Sequence, residues 1–276
     1  MTELIAPAKL NLCLYLGPLR SDGLHELTSI FEPLSLHDRL RVSENDQDVV
    51  ICPGVSGENI ATRALRLLRS EGWRHPPVKV EIEKRIPVEA GLGGGSADAA
   101  AVLRMAAGEV EDLPGLAIML GADVPSQLDP TICLVEGVGQ KLSPLPEPEQ
   151  HWVVLLPHER GLSTAQVFQE ADQLGCGRSQ EEIDEMSRRL WAVASNGVSP
   201  LAYPGLLSND LEPAALSLKP EIGIGRQRLQ ESGADFTGMT GTGPTMFGIF
   251  PDGESAQAAV EAIGEPAIAC RAGVGP

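Results

Sequence analysis

The stretch from Val78 to Gly108, VKVEIEKRIPVEAGLGGGSADAAAVLRMAAG, constrains the fold of this chain more than any other. Val78, Val80 and Ile82 alternate with Lys79, Glu81 and Glu83, the period of a half-buried strand. Pro87 cannot donate to a ladder and ends it. Gly91, Gly93, Gly94 and Gly95 follow, then Ser96 and an alanine-rich run that reads as a helix from about Ser96 to Ala107, stopped by Gly108. Strand, glycine loop and helix start make an anion site: glycine admits positive φ and close approach. The first helical N–H groups lack intrahelical partners and sit at the positive end of the dipole. No Walker lysine precedes Ser96, and a GxGxxG frame opened at Gly91 meets Ser96 where glycine is required. On glycine content alone, a flexible turn before an ordinary helix remains the competing reading.

Charge narrows the partners. The 276 residues carry 21 Lys+Arg against 38 Asp+Glu, net −17. That balance argues against nucleic acid and anionic membranes, and leaves any anionic substrate to local donors. Hydrophobic residues at 42% suffice for an ordinary core in one large or two small domains. The proline-rich Ser143–Glu149 is the expected boundary, giving lobes 1–148 and 149–276. Cys13, Cys52, Cys133, Cys176 and Cys270 are scattered, which predicts reduced thiols in the cytoplasm rather than a disulfide frame or zinc site. No apolar run approaches the ~18–20 residues of a membrane span, and the first residues do not read as a secretory signal.

Several further positions could carry chemistry. Leu4-Ile5-Ala6 starts a strand interrupted by Pro7, after which Lys9 and Asn11 share one strand face. Alone, Lys9 reads as a solvated lysine, and His25, after the Asp22-Gly23 turn, as a locally satisfied one. Asn59 is placed to cap a helix beginning at Ile60. Lys84 ends the central strand and Asp98 suits the dipole of the next helix. Asp123 follows a short helix, Pro114–Leu120, at the end where an acid gains nothing from the dipole, a mild hint of function. Strands are expected over Thr131–Val135 and Val138–Lys141 with a turn at Glu136-Gly137. Ser163 to Gln166 and Ser179 to Glu182 fit capping boxes, the first opening a helix that holds Phe168. Ser208–Glu212 reads as a helix cap. Thr240, Gly241, Thr242 and Gly243 form a second glycine loop before a strand, Met246–Phe250, and the tail Arg271–Pro276 is expected to be loose.

The order Pro-x-x-x-Gly-Leu-Gly-Gly-Gly-Ser-x-x-Ala-Ala, from Pro87 to Ala100, resembles the phosphate loop of the GHMP kinases, which phosphorylate small alcohols with ATP. Gly121-Ala122-Asp123-Val124-Pro125 resembles that family's second signature. Thr240-Gly241-Thr242-Gly243-Pro244 resembles the third, with threonines where serines are usual. Ala6 to Leu12 and Asp22-Gly23-Leu24-His25 resemble the branch acting on 4-diphosphocytidyl-2-C-methyl-D-erythritol, with Leu24 where that branch carries a base-stacking tyrosine. The resemblance runs from Ala6 to Phe250.

It implies an α+β fold of two lobes, the first like domain 2 of ribosomal protein S5 and the second ferredoxin-like. It implies ATP and Mg²⁺, a small cytidylyl substrate phosphorylated at its 2-hydroxyl, and a cytoplasmic monomer or homodimer without nucleic-acid or membrane partners. By the same resemblance Lys9 and Asp123 are catalytic. Pro87, Val88, Glu89, Ala90, Gly91, Leu92, Gly93, Gly94, Gly95, Ser96 and Ala97 wrap the ATP phosphates, with Ser96 the metal ligand. Asn59, Lys84 and Asp98 lie toward the adenine. Asn11 orients the methylerythritol, and His25, Thr164 and Phe168 form the cytosine pocket. The second glycine loop lies beside the transferred phosphate. Alternatives are a homoserine or mevalonate kinase of this family, or a catalytically silent binding protein on the same fold.

Overall fold

The computed structural model describes residues 1–55, 57–158 and 161–273. The first half runs β1 (Thr2–Leu19), β2 (His25–Glu44), β3 (Val49–Ile51), α1 (Ile60–Ser70), β4 (Val78–Glu83), α2 (Gly94–Arg104), α3 (Leu113–Leu120), β5 (Cys133–Gly137) and β6 (Lys141–Pro144). The second runs β7 (Trp152–Leu156), α4 (Thr164–Leu174), α5 (Gln180–Ala194), α6 (Glu212–Leu218), α7 (Ile222–Glu231), β8 (Phe236–Met239), β9 (Met246–Phe250), α8 (Gly253–Ile263) and β10 (Ile268–Arg271).

The long strand β2 organises the first sheet. One edge pairs antiparallel with β1; the other is divided between β5 at Leu27–Phe31 and β4 at Arg39–Glu44. Into the interval between them come Ala272 and Gly273, just after β10. Ala272 bridges Leu34, and the Gly273 N–H donates to Pro33 O at 3.1 Å. Residues 271–273 are therefore tied down rather than loose; the rest of the expected loose tail lies outside the described residues. The second sheet has the order β10-β7-β9-β8, all antiparallel. In chain order that is fourth, first, third, second, with helices before β8 and before β10: the ferredoxin-like split βαβ arrangement. Tyr15, Ile30, Leu190 and Phe247 share one core between the two sheets. At the same joint, fully buried Glu32 and His151 pair at 3.2 Å.

Local physics shifts several expected boundaries. Pro7 does not interrupt β1, because a register shift between Pro7 and Lys9 absorbs its missing N–H. The loop helix α2 begins at Gly94, two residues early, since Gly93 in the left-handed region (φ 69°) turns the chain into it. Ala97 to Leu103 are all buried, against α1 on one side and β1 on another, and alanine permits that close approach. The turn expected at Glu136-Gly137 lies at Val138–Gln140 instead. Gly137 is still paired with Leu27 and Glu136 with Lys141, so the strands run 133–137 and 141–144. The Ser179–Glu182 capping box forms, whereas Ser163 makes no side-chain cap.

Candidate active site

Bulges in β1 aim the first functional side chain. Register shifts on both sides of Lys9–Asn11 free this segment from the regular ladder, and the Lys9 N–H turns to Leu92 O of the glycine loop at 3.0 Å. Lys9 is only 4% exposed. Its ammonium donates to Asn11 Oδ1, lies 3.3 Å from Asp123 Oδ2 and sits 4.6 Å above the centre of the Phe31 ring. Asn11 Nδ2 donates to Ser29 Oγ at 2.9 Å, and Ser29 Oγ to Cys13 O at 2.6 Å. Both ends of the Asn11 amide are thus engaged, so the chain Cys13–Ser29–Asn11 fixes where the Lys9 ammonium points. Asp123 keeps 34% of its side chain exposed, facing the cleft.

The two glycine loops meet backbone to backbone although about 150 positions separate them. A Cβ on Gly91 would lie 2.7 Å from Thr240 O and 3.0 Å from Gly243 O; one on Gly93 would lie 2.8 Å from Lys9 Cγ. The second loop is held in place by two asparagines. The Asn11 N–H donates to Thr240 Oγ1 at 2.9 Å, and Asn209 Nδ2 donates to both Met239 O and Gly241 O at 2.8 Å. Asn209 does not form the expected helix cap, since Leu211 stands at the start of α6 without a side-chain cap; its Oδ1 accepts from the Leu211 N–H in a local turn while its amide nitrogen straps the loop. As in α6 and α7, neither α2 nor α4 has a side-chain cap. The starts of these two helices line one central cavity of about 610 Å³ with Lys9, Asp123 and Gly241.

From that centre the cleft continues in two directions. On one side a cavity of about 380 Å³ runs along the loop from Pro87 to Ser96, past Asn59, Lys84 and Asp98. Asn59 caps α1 as expected, accepting from Ala61 N–H at 2.8 Å. Lys84 is held by two buried carboxylates: it donates to Asp38 Oδ2 and, at 2.8 Å, to Asp98 Oδ2. Asp38, which the sequence does not single out, also accepts from the N–H groups of Arg85 and Ile86. Asp98 Oδ1 is buried without a partner. Burial pushes the Asp98 carboxyl up to about 7, opposed by Lys84 and reinforced by Asp38. A folded-state value above the ordinary one means that this group's contribution is present at low pH and lost as pH rises through about 7. Asp98→Asn imitates the protonated acid. We expect it to flatten the decline of stability with rising pH; urea midpoints across the pH range check this, and parallel curves for parent and variant would contradict it.

On the other side lies an apolar cavity of about 800 Å³, lined by Leu24, His25, Leu27, Ile118, Phe168 and Asp172 among others. The His25 and Phe168 rings stack with centroids 5.7 Å apart. Leu24, on the loop closed by Arg20 O accepting from Gly23 N–H, is 52% exposed at the rim. Thr164 lines all three cavities, and its Oγ1 lies 3.3 Å from Thr242 Oγ1. The sequence-selected residues thus fall along one continuous cleft, with a glycine cradle, a lysine–aspartate pair and an apolar pocket in order, except Ala97 and Thr240, which are fully buried and line none of the three cavities. Phe31, Asp38, Asn209 and Asp172 are the additions, each far in sequence from the residue it touches.

Comparison with known proteins places the whole chain. Residues 59–127 match the model for the GHMP kinases N terminal domain and 198–269 that for the GHMP kinases C terminal. The chain belongs to the GHMP kinase family. This GHMP kinase is 40% identical over 256 residues to the 4-diphosphocytidyl-2-C-methyl-D-erythritol kinase of Mycolicibacterium smegmatis, covering 87% of this chain and 78% of the relative. To the kinase of the same name from Anaeromyxobacter dehalogenans it is 38% identical over 98% of this chain and 87% of the relative. A crystal structure of 4-(cytidine 5'-diphospho)-2C-methyl-D-erythritol kinase superposes with a TM-score of 0.81 at 35% identity, covering 99% of this chain and 100% of that one. The two-lobed α+β GHMP kinase fold is therefore that of this chain, and the enzyme is an ATP-dependent phosphotransferase acting on a small-molecule alcohol. Among the described residues no helix is long and apolar enough to cross a membrane.

Proposed function

We propose that this GHMP kinase phosphorylates the 2-hydroxyl of 4-diphosphocytidyl-2-C-methyl-D-erythritol, in the cytoplasm, on the route to isopentenyl diphosphate. The observation that carries this is the apolar cavity of about 800 Å³ beyond Asp123, with stacked His25 and Phe168 in its wall. A homoserine or mevalonate acceptor ends near Asp123 and has no ring to fill that space. A cytidylyl group has one, joined by a diphosphate long enough to leave the alcohol at Asp123. The free cysteines of the described residues suit a reducing compartment.

Phosphoryl transfer asks a protein for alignment and charge, with little covalent work. In this reading ATP is a substrate, its phosphates against the backbone from Gly91 to Ser96 at the uncapped start of α2 and its base toward Asn59. Asp123 accepts the hydrogen bond of the acceptor hydroxyl and takes its proton. Lys9, fixed by Asn11, neutralises charge on the transferring group. Mg²⁺ binds mainly through phosphates and water with one or two protein ligands, and the Ser96 hydroxyl, on the wall of the central cavity beside the glycine cradle, is the protein ligand in this reading. When bound, Mg²⁺ supplies further neutralisation of the phosphates. We also divide the lobes at 148/149: β6 ends the first sheet at Pro144 and β7 opens the second at Trp152, though α5 packs back onto β1 and β2.

ADP release from MgATP with a panel of alcohols tests the substrate. Turnover confined to the cytidylyl methylerythritol is expected; comparable turnover of homoserine, mevalonate or galactose would overturn the assignment while leaving the kinase chemistry intact.

A further inference from the structure

Asp38 is fully buried and lines none of the three cavities, yet it governs a side chain that does. It belongs to β2, and its carboxylate works where β4 ends. The ladder between the two strands closes with Arg39 opposite Glu83. Past that pair the N–H groups of Arg85 and Ile86 both donate to Asp38 Oδ1, at 2.6 and 2.8 Å. These two backbone bonds fix the carboxylate itself. Its other oxygen, Oδ2, accepts from the Lys84 ammonium. The second partner of Lys84 is Asp98 on α2, which holds it through Oδ2 alone, since Asp98 Oδ1 has no partner. Lys84 is 13% exposed at the wall of the ATP-side cavity, and its ammonium would lie 3.2 Å from a Cβ on Gly94, where α2 begins. A lysine is a compact charge on a flexible stem, so its partners decide where the charge stands. Burying two carboxylates and an ammonium is costly, and an apolar set of similar volume often serves stability as well. Such a set could not hold an ammonium at a cavity wall.

We propose that Asp38 is a positioning residue for the nucleotide: acting through Lys84, it sets the ammonium at the wall of the ATP-side cavity. This rests on the placement of ATP proposed above and deepens it. The sheet carries Asp38, whereas Asp98 stands on the helix that the glycine loop opens. Lys84 therefore takes its place from the rigid strand pair as well as from the loop that wraps the phosphates. The effect is confined to one substrate, because Lys84 lines neither the central cavity nor the apolar one.

Asp38→Asn separates this role from the backbone bonds. The amide oxygen can still accept from the Arg85 and Ile86 N–H groups, while the amide nitrogen sets a donor against the Lys84 ammonium. We expect the KM for ATP, and the ATP dissociation constant measured by calorimetry, to rise by about 10–100-fold, the range for one charge-assisted hydrogen bond. The kcat at saturating ATP and the KM for the alcohol should stay as in the parent. A merely structural role would instead lower the apparent kcat with both KM values unmoved, and that result would overturn the proposal. Asp38→Ser, smaller and equally neutral, carries the same expectation should the asparagine variant fail to fold. Lys84→Gln, alone and combined with Asp38→Asn, completes a double-mutant cycle. Because Asp38 acts through Lys84, the double variant should bind ATP no more weakly than Lys84→Gln alone. Losses that add in the double variant, or ATP affinity weakened by Lys84→Gln and untouched by Asp38→Asn, would overturn the role of Asp38 and leave the placement of ATP standing. ATP affinity unmoved by Lys84→Gln would overturn both.

Discussion

Asp123→Asn is expected to lower kcat by about 10²–10⁴-fold, the range for losing a positioned acid–base group, while ATP binds as before. Asp123 faces the centre of the cleft, 3.3 Å from the Lys9 ammonium, and unlike Glu89, which lines the same centre, it does not line the ATP side. The asparagine keeps the shape and can still orient a hydroxyl, but it neither takes a proton nor balances Lys9. Because the transition state of phosphoryl transfer is loose and asks little of the nucleophile, the loss should fall toward the lower part of that range. Single-turnover kinetics with a separate nucleotide-binding titration distinguish the two steps. Turnover equal to the parent would remove Asp123 from the chemistry; a loss confined to ATP affinity would place it with the nucleotide.

Gly91→Ala is expected to cost both stability and activity. At φ 76° an L side chain is strained by roughly 1–2 kcal/mol. Its Cβ would also press on Thr240 O at 2.7 Å and Gly243 O at 3.0 Å, both backbone atoms in a loop that Asn11 and Asn209 hold still. Overpacking of that kind costs about 1–3 kcal/mol more. Gly108→Ala is the control, because its φ is 81° and nothing lies within 4 Å of the added carbon. The difference between the two urea midpoints isolates the contact between the glycine loops. We expect Gly91→Ala to lose more stability and most of its activity, with Gly108→Ala losing only the backbone strain. Equal losses would mean that the loops are not rigidly apposed.

The parts of the site legible in the sequence are those encoded locally. The alternation of Val78 to Glu83, the glycines from Gly91 to Gly95 and the alanine run carry a strand, a cradle and a buried helix within one stretch. Asp123 stood out because an acid after a helix C-terminus lacks a local reason to be there. The resemblance to the kinases supplied the order of the signatures and hence the two-lobed fold. What escaped notice depends on register between distant strands. Asp38 meets Lys84 because β2 and β4 pair with Arg39 opposite Glu83, a relation without a local pattern. Phe31 lies under Lys9 because β1 shifts register beside it. The misjudged turn near Gly137 has the same cause: glycine suggested a break, yet pairing with Leu27 carries the strand through it. Asn209 looked like a cap because it stands just before α6, but its oxygen only closes a local turn at Leu211 and its amide nitrogen reaches a loop 30 residues on.

The most direct test of the central claim is the fate of the phosphoryl group itself. Purified enzyme, MgATP labelled at the γ-phosphate and the cytidylyl methylerythritol would be followed by phosphorus NMR and mass spectrometry. A phosphate monoester on the 2-hydroxyl, with the diphosphate retained and ADP formed in equal amount, is the result that the proposed function predicts. Label released as inorganic phosphate with the alcohol unchanged, or found on a different hydroxyl, would contradict it.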